Sequence, residues 1–492
     1  MSTTVKCPLF FLFVAAVLVG TVFSQGFSPS AFCQEPTETP PVELLFSDSN
    51  DLQDTWGQLH FSVTPVSELE ACSLPDDFEV IACFPLEGDI WEVFGHTRQV
   101  PLPDQTDKEM FDRVVAWKLL RSTTQDGIHY TDPEVVYEPE PSTYTDHYTI
   151  ARNPDRGEYL LLNLKMDSAG FRYTATFSED GRHWSEYPET VFRDGDAMSL
   201  FWSEALHRYV CVSKSLQPYR KHFIDHGGTT PGLKDDSLRD RRVLVFRTSV
   251  DGRHWEPSVD MQDVWNRNGH KAPVPAGFMV MPDEQDPPEL EFYSGRGFWY
   301  KDRAYMMVLN YAASPVVHGH APQLDNEWWT SLDGLRWNRP ARGVNVLEAF
   351  PGIPRLESNP LVISGRILFP RNGKLHGLPE NRICGVSART NGEFSTQRFV
   401  MPEGQNLYLN ASIPSAERPF ARQQAYVTVA VLDEHGTVIP GYEEDQCVIA
   451  EKDDIRIPLQ WGEKDAQSLA GQNIRLRFTF RSATLFAVTS EK

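Results

Sequence analysis

One pattern, Ser-x-Asp-Gly-x-x-Trp, recurs along this chain and limits its fold more than any other feature. The clear copies are Ser178–Trp184, Ser249–Trp255 and Ser331–Trp337, and a weaker copy is Thr124–Tyr130. Asp-Gly is a strong hairpin-turn signal, because Gly accepts positive φ and Asp bonds to nearby backbone amides. The aromatic residue then starts a returning strand and brings a large apolar face to bury. The pattern therefore predicts a β-hairpin corner that repeats along the chain.

The spacing of the corners predicts an all-β fold, a five-bladed β-propeller. Intervals of 54, 71 and 82 residues separate the successive corner glycines, Gly127, Gly181, Gly252 and Gly334. Each interval has room for the four short strands of a propeller blade. A fifth, degenerate corner is expected at Ser387–Phe394, where Asn391 replaces the aspartate. The propeller is assigned to residues 78–402, and the corner aspartates are interpreted as turn formers.

The N-terminal segment has the features of a signal peptide. Lys6 precedes the apolar run Pro8–Phe23, and small or aliphatic residues lead up to Ser24. These features predict a signal peptide over residues 1–24, so the chain is expected to be secreted or periplasmic and free of the membrane after cleavage. A retained anchor is the alternative, although the apolar run is slightly short for one. Residues 25–77 are interpreted as an extension leading into the propeller.

The corner pattern stops after residue 402, but strand-like alternation continues. Four runs keep a period of two and are separated by Gly-containing turns, namely Leu407–Ala411, Ala425–Leu432, Ile455–Leu459 and Ile474–Phe480. This alternation predicts a small β-sandwich-like module over residues 403–492.

The net charge limits the classes of binding partner, and the cysteine spacing limits disulfides and metal sites. With 46 basic and 68 acidic side chains, the chain has a net charge of −22, which disfavours nucleic acid as a partner. Six cysteines follow the predicted signal peptide and allow disulfides, with Cys72–Cys83 the favoured local pair. Their spacings match no CxxC metal site, so we expect no metal ligands among them.

The corner motifs resemble the Asp-boxes of sialidase-type propellers, with one residue fewer between Asp and Gly. The chain resembles more closely the five-bladed glycosidases of glycoside hydrolase families 43 and 32, from about Phe78 to Val400. This resemblance implies a carbohydrate substrate bound in a pocket on the propeller axis. It implies no organic cofactor, and an axial calcium ion only by analogy.

Acidic residues recur where the innermost strand of each blade is expected to start. In a propeller these strands surround one axial pocket, so their first residues converge. Long insertions, residues 214–242 in blade three and 312–326 in blade four, are expected on the same face. Glycoside hydrolysis needs two carboxyl groups, and crowded carboxylates supply a protonated one. The candidates from the strand starts are Asp146, Asp194, Asp196, Asp286, Glu289, Glu291 and Glu357.

The resemblance assigns roles to some of these residues. The segment GDAMSLFW is similar to the inner strand that carries the family aspartate, which implies that Asp196 is the base, nucleophile or stabiliser. PELEFYSG is similar to the strand that carries the general acid, which implies Glu291, with Glu289 as a rival on the same face. The family's first-blade aspartate has no convincing counterpart, so a third carboxylate stays open, and Asp325 is a candidate.

Further residues are candidates for substrate binding. Asp146, Asp194, Asp286, Glu327 and Glu357 are acidic candidates, and Arg241 would bind an anionic sugar substituent. His320 would orient substrate, and Trp202 and Tyr293 would stack on sugar rings.

Two functions therefore follow from the sequence. The first is a secreted glycoside hydrolase that cleaves a polysaccharide or oligosaccharide with an acid/base pair of carboxylates in the axial pocket. The alternative is a propeller that binds carbohydrate or protein without catalysis, favoured if the carboxylates do not converge within the roughly 5–10 Å that hydrolysis requires.

Overall fold

A computed structural model confirms the all-β prediction. It describes residues 40–105, 113–143, 145–168, 170–218, 240–258, 277–283, 285–286, 290–312, 323–346, 358–415 and 424–492. These residues form 31 strands, numbered in chain order, and three single turns of 3₁₀ helix at Ser49–Asp51, Glu444–Gln446 and Ala466–Leu469.

Five small antiparallel sheets form the blades, and the strands of each sheet follow one another from the axis outwards. Blade one contains β4 (Glu79–Pro85), β5 (Trp91–His96), β8 (Leu119–Thr124) and β9 (Glu134–Tyr137). Blade two contains β11 (Thr145–Asn153), β12 (Glu158–Asp167), β13 (Gly170–Ser178) and β14 (Ser185–Phe192). Blade three contains β15 (Ser199–Ser203), β16 (Arg208–Pro218), β17 (Asp240–Ser249) and β18 (Met279–Val280). Blade four contains β19 (Leu290–Tyr300), β20 (Arg303–Ala312) and β21 (Gln323–Ser331). Blade five contains β22 (Leu361–Ile363), β23 (Arg366–Arg371), β24 (Lys374–Pro379) and β3 (Ser67–Ala71).

The blades close into a ring because apolar side chains pack between each pair of neighbours. The inner strands β4, β11, β15 and β19 contact one another in turn, and β22 contacts β4. A separate buried cluster lies at each junction, for example around Leu162 between blades two and three and around Phe246 between blades three and four. A three-stranded sheet of β6 (Val100–Pro101), β7 (Val114–Ala116) and β10 (Ser142–Thr143) lies outside the blades.

The four Asp-Gly corners follow the third strands of blades one to four, as their sequence predicts. At the blade-two corner, the Ser178 hydroxyl accepts from the Gly181 amide at 2.9 Å, and Asp180 Oδ1 accepts from the Arg182 and His183 amides at 2.8 Å each. The other corners repeat this geometry around Asp126, Asp251 and Asp333. The corner aspartates are therefore turn formers.

The prediction of a fifth hairpin corner is wrong. Ser387–Phe394 lies inside β25 (Cys384–Ser395), and neither Asn391 nor Gly392 adopts positive φ. Asn391 instead follows a register shift in the pairing of β25 with β31 (Asn473–Glu491), where a strand irregularity takes the place of a hairpin turn. The fourth strand of blade five is β3, which comes from the N-terminal side of the chain and pairs with β24.

The remaining strands form one nine-stranded antiparallel sheet. Its members are β1 (Glu43–Leu45), β2 (Gln53–Val63), β25, β26 (Phe399–Val400), β27 (Asn406–Ile413), β28 (Tyr426–Leu432), β29 (Val448–Ile449), β30 (Lys452–Pro458) and β31. The sheet encloses its own buried cluster around Phe394, Phe478 and Phe480. Strands β27, β28, β30 and β31 overlap the four runs predicted for residues 403–492. The sheet also takes β1 and β2 from the segment interpreted as an extension, and β25 and β26 from the segment assigned to the propeller.

The predicted Cys72–Cys83 disulfide is absent from the structure, where both residues are free cysteines. Cys83 lies in β4, and complete burial raises the pKa of its thiol well above the ordinary value. Within the described ranges, no helix is both long and apolar enough to span a bilayer. The signal peptide predicted for residues 1–24 lies outside the described residues.

Candidate functional site

Asp196 lies just before the inner strand of blade three and is paired with a lysine. The Lys214 ammonium, from β16, lies 2.5 Å from Asp196 Oδ1, and the Lys214 amide donates to the Asp196 carbonyl at 3.0 Å. The Lys214 side chain is buried, whereas that of Asp196 is 22% exposed. Asp196 is therefore a partly exposed carboxylate that is paired with a buried cation.

Glu291 lies at the start of the inner strand of blade four and is paired with an arginine. Arg242 Nη1, from β17, donates to Glu291 Oε2 at 2.6 Å. The Glu291 side chain is buried, and Arg242 is partly exposed.

Tyr293 joins these two ion pairs. Lys214 Nζ lies 4.3 Å from the centroid of its ring, and the Arg242 guanidinium carbon lies 5.4 Å from the same centroid. Both distances are within the range of cation–π interactions. We call Asp196, Lys214, Tyr293, Arg242 and Glu291 the axial charge cluster. It brings together three residues predicted from the sequence and two that were not.

Asp194 supports this cluster from inside the protein. Its side chain is fully buried, accepts from Arg247 Nε at 3.2 Å and accepts from the Gly195 amide at 2.9 Å. Burial raises the pKa of Asp194 to about 6, although Arg247 and the Ser213 hydroxyl act in the opposite direction. In this structure Asp194 therefore anchors the segment that carries Asp196, which differs from its expected role in binding substrate.

A second ionic network occupies blade four. Arg339 binds Asp286 through Nη1 at 2.6 and 2.7 Å, and binds Glu327 through Nε and Nη2 at 2.8 Å each. Asn310 Nδ2 also donates to Glu327 at 3.1 Å. All three charged side chains are buried. Asp286 and Glu327 are thus brought together by Arg339, and buried groups satisfied in this way hold structure.

The other predicted site residues divide into four groups. Asp325 accepts from Asn345 Nδ2 at 3.4 Å. Trp202 lies at the far end of β15 from Asp196 and is buried against Tyr209. For Asp146 and Arg241 the structure describes only the backbone, in which Asp146 pairs with Leu164 and Arg241 pairs with Gln217. Glu289, His320 and Glu357 lie outside the described residues.

Lys214, Arg242 and Arg339 are the residues that sequence reasoning missed. Lys214 and Arg242 are the two ends of the predicted blade-three insertion, and their position there was the one signal that could have identified them. They face the axial carboxylates because β16 and β17 are long strands that extend into that insertion.

The described residues contain no group of three or more His, Cys, Asp or Glu side chains arranged to hold a metal ion. Asp196 and Glu291 are each paired with a cationic side chain, so in this arrangement they do not fit the oxygen-rich, negatively charged site that calcium requires. We therefore assign no metal chemistry to the cluster.

No model of a known protein family matches the chain, and no curated protein matches its sequence. Several solved structures of carbohydrate enzymes are similar at low scores. A putative glycosidase from Bacteroides thetaiotaomicron has a TM-score of 0.37 and 10% identity, over 68% of this chain and 94% of that chain. A family 117 glycoside hydrolase from Zobellia galactanivorans has a TM-score of 0.35 and 12% identity, over 70% of this chain and 86% of that chain.

A fructofuranosidase from Schwanniomyces occidentalis has a TM-score of 0.32 and 9% identity, over 87% of this chain and 96% of that chain. At such scores the likeness carries nothing about substrate, reaction or catalytic residues.

Proposed function

We propose that this protein is a glycoside hydrolase that cleaves a polysaccharide or oligosaccharide at the axial charge cluster. The observation that supports the proposal is that Asp196, just before the inner strand of blade three, and Glu291, at the start of the inner strand of blade four, each pair with a cation that lies against the Tyr293 ring. Asp196 would act as base, nucleophile or stabiliser, and Glu291 as general acid. A stacked or edge-on contact with Tyr293 would orient a sugar ring.

The ion pairs define what the reaction requires of the site. A general acid must be protonated before it donates, so Glu291 would have to release Arg242 when substrate binds. Arg242 would then be free to bind the substrate itself. Asp196 is paired with the Lys214 ammonium, and we assign it the role of base, nucleophile or electrostatic stabiliser. We also propose that the chain is exported after loss of residues 1–24, and that Asp146, Asp325 and Arg241 contact substrate.

The test is a screen of the purified protein against polysaccharides and aryl glycosides, with Asp196→Asn and Glu291→Gln measured in parallel. We expect product from the wild type and a loss of at least about 100-fold in kcat/KM for each variant. Glu403→Gln is the matched control, because Glu403 is an exposed carboxylate beside the nine-stranded sheet.

Activity that survives both axial substitutions would remove Asp196 and Glu291 from the mechanism. Equal loss in Glu403→Gln would indicate a general effect on folding. The anomeric configuration of the product would then separate a retaining from an inverting reaction.

A carbohydrate-binding propeller without catalysis is the second candidate. The observation that favours it is that both carboxylates are already engaged in ion pairs, Asp196 with the buried Lys214 and Glu291 with the partly buried Arg242. Glycan binding by wild type, with no product from any substrate in the screen, would establish this alternative.

A further inference from the structure

A cavity opens on the propeller axis at the end opposite the axial charge cluster. It has a volume of about 380 Å³ and is lined by residues from the inner strand of every blade or from the residues just before it. The lining residues of blades one to four lie at the C-terminal ends of those strands, whereas Asp196 and Glu291 lie at the N-terminal ends. Glu291 and Trp299 are eight residues apart in β19, which corresponds to about 26 Å of extended strand.

Aromatic side chains form part of the wall of this cavity. Trp91 and Trp299 are half-buried, so each keeps part of its ring accessible, and Trp202 completes the lining from blade three. The Trp299 indole donates to the Lys301 carbonyl at 2.9 Å, which fixes the orientation of its ring. The volume lies in the lower part of the roughly 300–1,000 Å³ range of small-molecule sites, which are likewise mainly apolar with few polar groups.

Two ionisable side chains in the lining have no ion-pair partner among the described residues. Arg152, from blade two, donates from Nη1 to the Pro85 carbonyl at 3.2 Å, and its buried Nε has no hydrogen-bond partner in the described part of the chain. Glu204, from blade three, is exposed at the cavity. Lys301 also lines the cavity, but Glu43 and Glu380 already pair with it at 2.8 and 3.3 Å.

We propose that this cavity is a second binding site, for a neutral saccharide of one or two rings. One cation, which lies 5.2 Å from the Tyr159 ring centroid, and one anion, neither with an ion-pair partner in the described residues, balance the charge of the lining, which favours a neutral ligand over an anion. Arg152 only donates hydrogen bonds and Glu204 only accepts them when ionised, and sugar hydroxyls do both. The half-buried indoles offer apolar faces for the C–H face of a ring. The proposal does not depend on hydrolysis at the axial charge cluster.

The experiment is calorimetric titration of the Asp196→Asn protein with glucose, galactose, mannose, xylose, arabinose and disaccharides of these sugars. Tryptophan emission is recorded in the same titrations. We expect at least one sugar to bind and to change the emission. In that background, Trp299→Ala and Glu204→Gln should each weaken binding at least tenfold. Trp56→Ala is the matched control, because Trp56 is 62% exposed in β2, and it should change affinity less than twofold.

Three outcomes would overturn the proposal. Sugar affinity unchanged by both Trp299→Ala and Glu204→Gln would place binding elsewhere. Binding of an aromatic anion such as anilinonaphthalene sulfonate, without binding of any sugar, would identify an apolar-ligand site. No binding of either would make the cavity structural. Thermal unfolding of each variant shows whether weaker binding comes from a damaged site or from a destabilised fold. Sugar binding to this cavity by a wild type that releases no product would contradict only the proposal of hydrolysis at the axial charge cluster.

Discussion

At the scale of single residues, Asp194 makes stability depend on pH. Its pKa is raised to about 6 by burial, so the folded chain holds this proton more tightly than the unfolded chain, whose carboxyl has a pKa of 3.8. As pH rises, the unfolded chain loses the proton first. The contribution of Asp194 to the free energy of unfolding is therefore complete below about pH 4 and is lost as pH rises through about 6.

The expected result is a difference in slope between wild type and Asp194→Asn. Between pH 4 and 7, the free energy of unfolding from urea denaturation should fall by on the order of 2–3 kcal/mol more in the wild type than in the variant. Asp445→Asn, at an exposed carboxylate, should follow the wild-type slope. Parallel curves for wild type and Asp194→Asn would contradict the assignment, whatever their absolute stabilities.

The residues of the axial charge cluster show which features of the site can be predicted from a sequence. The placement of Asp196 and Glu291 near the starts of inner strands was predictable, because it is a local property of the sequence. Lys214 and Arg242 come from the second and third strands of blade three, and they reach the carboxylates only through the pairing register of β16 and β17. The role of Asp194 also depends on its buried ion pair with Arg247, which lies in β17. Contacts of this kind have no short-range signal.

At the scale of elements, the corner glycines need both positive φ and space. Gly252 has φ of +72°, and a Cβ there would lie 2.7 Å from Leu160 Cδ2 and 2.9 Å from Phe177 Cε1 in the neighbouring blade. Gly157, in the turn between β11 and β12, has a similar φ of +69° with no atom within 4 Å of such a Cβ. The two positions share the backbone strain and differ only in packing.

Gly252→Ala should therefore cost more stability than Gly157→Ala. We expect about 1 kcal/mol for Gly157→Ala from the conformation alone, and about 1–3 kcal/mol more for Gly252→Ala from overpacking. The free energy of unfolding from urea denaturation provides the comparison. Equal losses would mean that the corner does not pack tightly against the adjacent blade.

Elements with local signals were predictable, and elements completed by distant strands were not. The four Asp-Gly corners are complete within seven residues each, and their strands followed as expected. Blade five lacks such a corner because β3 closes it from roughly 300 residues earlier in the chain. Asn391–Gly392 imitates the motif inside β25, and the sequence alone does not separate a strand irregularity from a turn.

At the scale of the whole molecule, the N-terminal residues tie the nine-stranded sheet to the propeller. Arg303 in β20 binds both oxygens of Asp51, at 2.7 and 2.8 Å, in the turn between β1 and β2. Thr330 in β21 donates to the neighbouring Asp48 at 2.7 Å. Arg303 is only 2% exposed, so the pair with Asp51 is buried. The same guanidinium also binds Asp302, whose side chain is half-exposed.

Asp51 and Asp302 bind the same Arg303 guanidinium and therefore provide a matched comparison. Asp51→Asn removes the nearer of two buried carboxylates and leaves Arg303 with Asp48 at 3.8 Å as its remaining buried partner, so we expect a loss of up to about 3–5 kcal/mol. Asp302→Asn removes an exposed partner of the same group, and water replaces it, so the loss should stay below about 1 kcal/mol. Urea denaturation followed by tryptophan emission measures both. If these contacts hold the nine-stranded sheet to the propeller, Asp51→Asn should also separate one unfolding transition into two. Equal effects of the two substitutions would instead mean that Arg303 acts mainly through its packing.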